Sequence, residues 1–302
     1  MSADNGNKLK GVLLALSTTI VTAPSPVAAR FARQTVTATT YSVLWMFLPV
    51  VYCSGWFTVS RKWPMVLPQL RAHWRRIILM GVVQAVGAWT FFWGMKFVDP
   101  TVSAFLGRSS AVFAVVIGVI ALKERMNRAE VAGTIAAIVG TAVICYETGE
   151  ALLAGIIAIV LSSLAFAIFT AIAKVLVRAM DPFAVMLGST SVASVALALL
   201  GVSTGELTFG GPWSAYAAVA GASFAGEFLG QGLFYSSMKY IGFSITSVVR
   251  SALPLTVALF SYFTLGEVPD LKAWIGGAIL MAGIVLITLT HARPAPVPDQ
   301  TP

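Results

Sequence analysis

The sequence predicts an all-α integral membrane protein of ten transmembrane helices, built as two inverted five-helix halves with both termini cytoplasmic. Three observations predict it. The composition is too apolar for a water-soluble surface, the apolar residues fall into runs long enough to span a bilayer, and the second half of the chain repeats the first at a near-constant spacing.

Of the 302 residues, 58% are hydrophobic and 11% are charged, about half the charged share of an ordinary soluble domain. The apolar residues form runs of about 20 over almost the whole chain, the length an α-helix needs to cross a hydrocarbon core of about 30 Å. Lipid is therefore the main solvent. Cys53 and Cys145 lie inside apolar runs and offer neither a disulfide framework nor metal-ligand spacing. They read as packing residues. The formal net charge of +8 calls for no nucleic-acid partner, because the basic residues gather in loops between spans.

The first run, 11–32, follows a polar start from Met1 to Lys10 and ends in Ala28-Ala29-Arg30, which resembles a cleavable leader. Pro24 and Pro26 interrupt it, many spans follow, and the second half carries a similar segment, so it reads as a span. The others fall at 38–60, 76–97, 101–122 and 129–147, then at 152–174, 183–204, 213–239, 243–265 and 272–290, each bounded by charge or by Pro and Gly. With the N-terminus inside, the inner segments hold 14 basic residues and the outer ones 4, namely Arg30, Arg33, Lys96 and Lys272. That imbalance satisfies the positive-inside rule. Arg108 and Arg250 fall within spans. The two halves are bounded as 8–147 and 152–290, and residues 291–302, with prolines at 294, 296, 298 and 302, form a disordered cytoplasmic tail.

The repeat has an offset of about 143 residues. Phe91, Met95, Lys96 and Phe97 match Phe234, Met238, Lys239 and Tyr240; Leu122 and Glu124 match Leu265 and Glu267; Gly133 and Gly140 match Gly276 and Gly283. Gly11 and Arg30 match Gly155 and Lys174 at one residue more. Five spans is an odd number, so the second half begins on the opposite face of the membrane and the repeats are inverted. Inverted repeats characterise secondary transporters, in which two similar halves exchange roles as a site opens to either side.

Lys96-Phe97 before a small-residue helix ending Leu122-Lys123-Glu124-Arg125, and Lys239-Tyr240-Ile241-Gly242 before a Pro254-containing helix ending Leu265-Gly266-Glu267, resemble the drug/metabolite transporter superfamily, EamA type. The resemblance covers roughly residues 8–290. It implies a 5+5 fold around a central cavity, transport of a small metabolite, often outward, and a bacterial cytoplasmic membrane. Members carry amino acids, nucleotide sugars, sugar phosphates, vitamins and drugs. This chain departs from the common pattern in having Ala111 opposite Pro254 and an arginine in each of the paired helices.

Arg108 lies about seven residues into its span, roughly 10 Å from that end, and Arg250 is similarly deep in the partner helix. A cation at a helix centre costs at least ~2.5–3.5 kcal/mol, so each must face a wet cavity or a partner. One reading has the two guanidinium groups receiving a carboxylate or phosphate. The other has them bound to helix carbonyls or to Glu227, or snorkelling to the interface. Glu227 is the one acid well inside a span, with Gln231 a turn later and Gln84 as its repeat partner. It is a candidate for proton coupling, and equally for a countercharge to Arg250 or to a substrate amine. Trp89 and Tyr235 share spans with Gln84 and Glu227 and are candidates to stack a planar substrate; Trp45 is a further aromatic of this kind. Pro24, Pro26 and Pro254 withhold backbone donors and are hinge candidates.

A membrane-embedded enzyme is disfavoured, since His73 and His291 stand outside the spans and no zinc or phosphate-loop motif is present. The expectation is a secondary transporter that needs no cofactor or metal and moves an anionic or zwitterionic metabolite, such as an amino acid or organic acid, by alternating access. Protons are a candidate coupling ion, and monomer and homodimer both remain open. Flipping of a lipid or lysophospholipid is the alternative within transport.

Overall fold

The computed structural model describes residues 2–110, 112–113, 116–117, 128–145, 150–237, 240, 249–250 and 252–291. Among these the secondary structure is helical, with no strand. Five apolar stretches are long enough to cross a membrane: Leu9–Ala32, Ala38–Val59, Trp74–Gly94, Leu152–Ala179 and Pro182–Thr204. Val131–Ile144, Leu253–Leu265 and Leu271–Ile287 are shorter apolar helices.

Helices α1 (Ser2–Thr22) and α2 (Pro24–Ala32) make one stretch with a joint at Ala23. Pro24 and Pro26 sit in the first turn of α2, where a missing amide disturbs least. Helix α3 (Ala38–Val59) starts on Thr37, whose hydroxyl accepts the Thr40 amide at 3.1 Å. Next come α4 (Trp63–Ala72), α5 (Trp74–Gly94), α6 (Pro100–Gly107), α7 (Arg128–Cys145) and α8 (Glu150–Ala179). Then follow α9 (Pro182–Thr204), α10 (Trp213–Ser223), a π-helical segment Phe224–Gly230, and α11 (Gln231–Ser237). Helices α12 (Leu253–Leu265) and α13 (Leu271–His291) end the described chain.

Helix α4 fills what reads in the sequence as a loop. It is shorter than a span and carries Pro64 and Pro68, so the search for apolar runs passes over it. The expected span 101–122 is helical to Gly107, turns at 108–109 and is helical again at 110, 112–113 and 116–117, while 111, 114–115 and 118–122 lie outside the described residues. Of 243–265, residues 243–248 and 251 lie outside them, as do Glu124 and the tail 292–302.

Helices of lipid-embedded proteins gain no hydrophobic energy by touching one another, so they associate where small residues let backbones approach. Glycines do this here. A methyl group on Gly133 would stand 2.7 Å from the Gly283 carbonyl oxygen, and one on Gly276 2.7 Å from that of Gly140. Pairing 133 with 283 and 140 with 276 makes α7 and α13 antiparallel, and all four glycines belong to the sequence repeat. Helices α5 and α8 cross likewise, with Gly94 against Gly155 and Gly87 against Ala165. In the matching pair, Gly226 and Gly230 lie on Ser25 and Thr22 of the first stretch. Helices α3 and α9 run antiparallel from Thr39 beside Gly201 to Cys53, whose sulfur is 3.6 Å from that of Met186. Helices α6 and α12 meet through Ala104, Leu253 and Val257.

Candidate functional site

Four helical stretches lose regularity at a common centre. In α6 the last turn tightens: the Arg108 and Ser109 amides bond to the carbonyls of Phe105 and Leu106, three residues back, each at 3.0 Å. The Ser163 hydroxyl donates to the same Leu106 carbonyl at 3.1 Å. Ahead of α12 the Ala252 amide bonds to the Val249 carbonyl at 3.2 Å in the same manner, and Pro254 stands in the first turn of the restarted helix. The π-helical segment carries Glu227. Around that bulge, neighbouring side chains take up freed carbonyls: Tyr52 Oη donates to Ala220 at 3.2 Å and Ser25 Oγ to Ala222 at 2.9 Å. The joint at Ala23 is the fourth irregularity. π-Bulges and broken helices persist in membrane interiors where they face protein or a site.

These irregularities bring the predicted polar residues together. Gln84 Nε2 donates to Glu227 Oε1 at 2.9 Å, joining two residues 143 positions apart, which is the repeat offset itself. The Trp45 indole N–H also faces this carboxylate. Arg250 stands within coulombic range of both Glu227 and Tyr235, with its guanidinium carbon 4.3 Å from the centre of the Phe234 ring, a cation–π contact. Arg108 stands within coulombic range of Arg250. Gln231 donates to the Tyr235 hydroxyl at 3.4 Å. The result is a polar cluster, here called a track, of Gln84, Glu227, Arg250 and Arg108 inside an apolar bundle.

The track is under-satisfied. Thr22 Oγ1, Gln84 Oε1, Arg108 Nε, Ser109 Oγ and Arg250 Nε are all buried without a hydrogen-bond partner. Among the described residues, no carboxylate lies within ion-pair distance of either arginine. Unpaired buried polar atoms cost about 1–3 kcal/mol each, more when charged, and native proteins keep few of them. Two cations and one acid leave an excess of positive charge at the centre, which suits a ligand with an anionic group.

Trp89 is not part of this cluster. Its indole donates to Thr39 Oγ1 at 3.1 Å, and that hydroxyl donates to Glu206 Oε2 at 2.5 Å. Thr37 and Thr40 also bond to the backbone of 206 and 208, so the α9–α10 loop straps the start of α3. Arg33 lies beneath this strap, donating to the carbonyls of Phe92 and Val36 at 3.2 and 2.8 Å. Burial pulls its guanidinium down to about 10, partly offset by Tyr41 and Glu206. It therefore remains charged near neutral pH. On the same face Arg30 pairs with Glu267 at 3.5 Å and donates to the Lys96 carbonyl at 3.4 Å. Arg30, at the end of α2, thereby ties the α5–α6 and α12–α13 connections together.

Sequence reasoning left Trp45 undecided and passed over Ser109 and the π-bulge. Their signals were weak: one aromatic among many in α3, a serine in a small-residue run, and Gly226 and Gly230 flanking Glu227.

Among the described residues no group of three or more His, Cys, Asp or Glu side chains forms a metal-binding cluster. The family description "EamA-like transporter family" matches twice, over residues 9–146 and 153–289. A solved structure titled only "Crystal structure of protein" superposes with a TM-score of 0.66 at 16% identity, covering 97% of this chain and 99% of the other. At that identity it speaks to fold alone. No curated protein matches the chain. Two tandem family matches over nearly the whole length, on a helical bundle with several membrane-length apolar helices, establish that the chain belongs to the EamA-like transporter family and is a membrane transporter.

Proposed function

We propose that this chain is a secondary transporter that moves a small organic metabolite bearing a carboxylate or phosphate, in anionic or zwitterionic form, outward by alternating access. The observation that carries the proposal is the under-satisfied track of Gln84, Glu227, Arg250 and Arg108 at the meeting point of the two matched halves. The guanidinium groups receive the substrate anion, and Glu227 takes an amine of a zwitterion or exchanges a coupling proton. Ten spans in two inverted five-helix units, 8–147 and 152–290, with both termini cytoplasmic in a bacterial inner membrane, is the architecture that serves this mechanism. The antiparallel crossing of repeat-matched glycines supports the inversion, and the excess of basic residues on one side supports the orientation. The irregular turns at Pro24, Pro26 and Pro254 supply hinges. One protomer holds the whole track and performs no bond chemistry.

The test is binding-induced thermal stabilisation of the purified protein across amino acids, organic acids, sugar phosphates, nucleotides and lysolipids, followed by uptake into proteoliposomes. Stabilisation by a carboxylate or phosphate compound, lost in Arg108→Ala and Arg250→Ala, is expected. Normal transport by both variants would remove the arginines from the substrate site.

A second reading rests on a different observation. A groove of about 390 Å³ opens sideways between α3 and the π-bulge, lined by Tyr52, Trp56, Phe224 and Phe228. Phe228 adjoins Glu227, so this groove offers a lipid-side route to the track and favours an amphiphile such as a lysophospholipid. A lysolipid hit in the same panel, unaffected by the arginine variants, would select it.

A further inference from the structure

A second apolar groove, of about 420 Å³, lies between α3, α4, α5 and α9, away from the polar track. Trp63, Trp74, Leu70 and Ile78 line it, and its polar points are Ser54 and Ser191. Packing fixes its shape: a methyl group on Gly188 would stand 2.8 Å from Ile77 and 3.0 Å from Leu70, so α4 is held against α9 at this point.

The charged residues on α4 and at its two ends are all cationic. Arg61, Lys62, Arg71, Arg75 and Arg76 are all exposed, and the sequence holds no acidic residue between Asp4 and Asp99. Lys62 and Arg75 each adjoin a tryptophan of the groove, and the Arg75 guanidinium lies 5.3 Å from the Trp74 ring centre. One acid, Asp181, stands beside α4 against these five cations, so the net charge there stays positive. Its Oδ1 accepts the Phe183 amide at 2.9 Å, capping its own helix, while its amide donates to Gln69 Oε1 at 2.9 Å. The α5 N-terminus beside Trp74 has no side-chain cap, which leaves its amides and the positive end of its dipole directed at the same place.

From this charge complementarity we infer that the groove seats one phospholipid of net negative headgroup, with an acyl chain along Leu70, Ile78 and Ser191 and its phosphate between Lys62, Arg75 and Arg76. The two lining tryptophans hold the interfacial level, as such rings do at membrane surfaces, and juxtamembrane cations attract anionic lipid. The bound lipid braces α4 across α3, α5 and α9, the helices through which the two halves contact on this face. This site is independent of the substrate reading.

The test uses the full chain in phosphatidylcholine nanodiscs with and without phosphatidylglycerol, reading thermal midpoint and the lipid retained in native mass spectrometry. Phosphatidylglycerol is expected to raise the midpoint by several degrees and to leave one retained lipid. Both effects should vanish in the double variant Arg75→Gln/Arg76→Gln and in Ser191→Phe, which fills the groove while keeping every cation. Ser54→Phe, on α3, serves if Ser191→Phe does not fold. Equal stabilisation of wild type and all variants overturns the proposal. Loss in the charge variant alone reduces the effect to diffuse attraction and also overturns the seat, as does equal stabilisation by soluble glycerol phosphate.

Discussion

Glu227 is held by directed bonds from Gln84 and Trp45 and by the field of Arg250. Replacing it with glutamine keeps a hydrogen-bonding partner for Gln84 and removes only the charge. Glu227→Gln is therefore expected to fold and to lose the response of transport to an imposed pH gradient, measured in proteoliposomes; a retained response would exclude it as the coupling group. The arginines are expected to matter through the substrate anion. Truncating one partner of a buried charge pair costs about 2 kcal/mol or more, so Arg108→Ala or Arg250→Ala should weaken substrate affinity roughly thirty-fold or more, read by titrating the thermal shift. Both arginines and Glu227 were legible in the sequence because ionisable residues are expensive in lipid. Their closeness was not, since Arg108 and Arg250 are 142 positions apart and sequence distance says nothing of helix packing.

At the scale of helices, close packing and local irregularity have separate energetic signatures. The α7–α13 crossing has no room for a side chain at Gly140, where an added methyl would also press on the Leu280 backbone. Gly140→Val is expected to lower stability by about 1–3 kcal/mol, visible as a reduced thermal midpoint without a change in substrate selectivity. At the π-bulge, Tyr52→Phe removes the donor to the Ala220 carbonyl and should cost about 1 kcal/mol, while altering transport if that geometry positions Glu227. Apolar run length foretold where the long helices lie. It missed α4, whose Trp63, Val66 and Leu70 become a structural face only once α3, α5 and α9 surround them. It likewise missed the joints at Arg108 and the π-bulge, because hydropathy averages over the very turns at which a helix changes register.

For the whole molecule, Arg30–Glu267, the Arg30 bond to the Lys96 carbonyl and the strap over Thr37, Thr39 and Thr40 close one face of the bundle. If alternating access requires this face to part, bridging Arg30→Cys and Glu267→Cys with a short reducible thiol cross-linker will stop transport and reduction will restore it. Undiminished transport by the cross-linked protein would mean that this contact need not open. The sequence by itself determined that lipid is the solvent, that the chain is a helical tandem repeat, and that a few polar residues are misplaced in apolar runs. Those features follow from composition and period, which are local or additive along the chain. Only the tertiary structure decided that Gln84 bonds its own repeat counterpart, that Trp45 and Tyr235 join them, and that Trp89 turns away to Thr39. Such choices depend on which helix faces meet, and these are set by close contacts between glycines and small residues far apart in sequence.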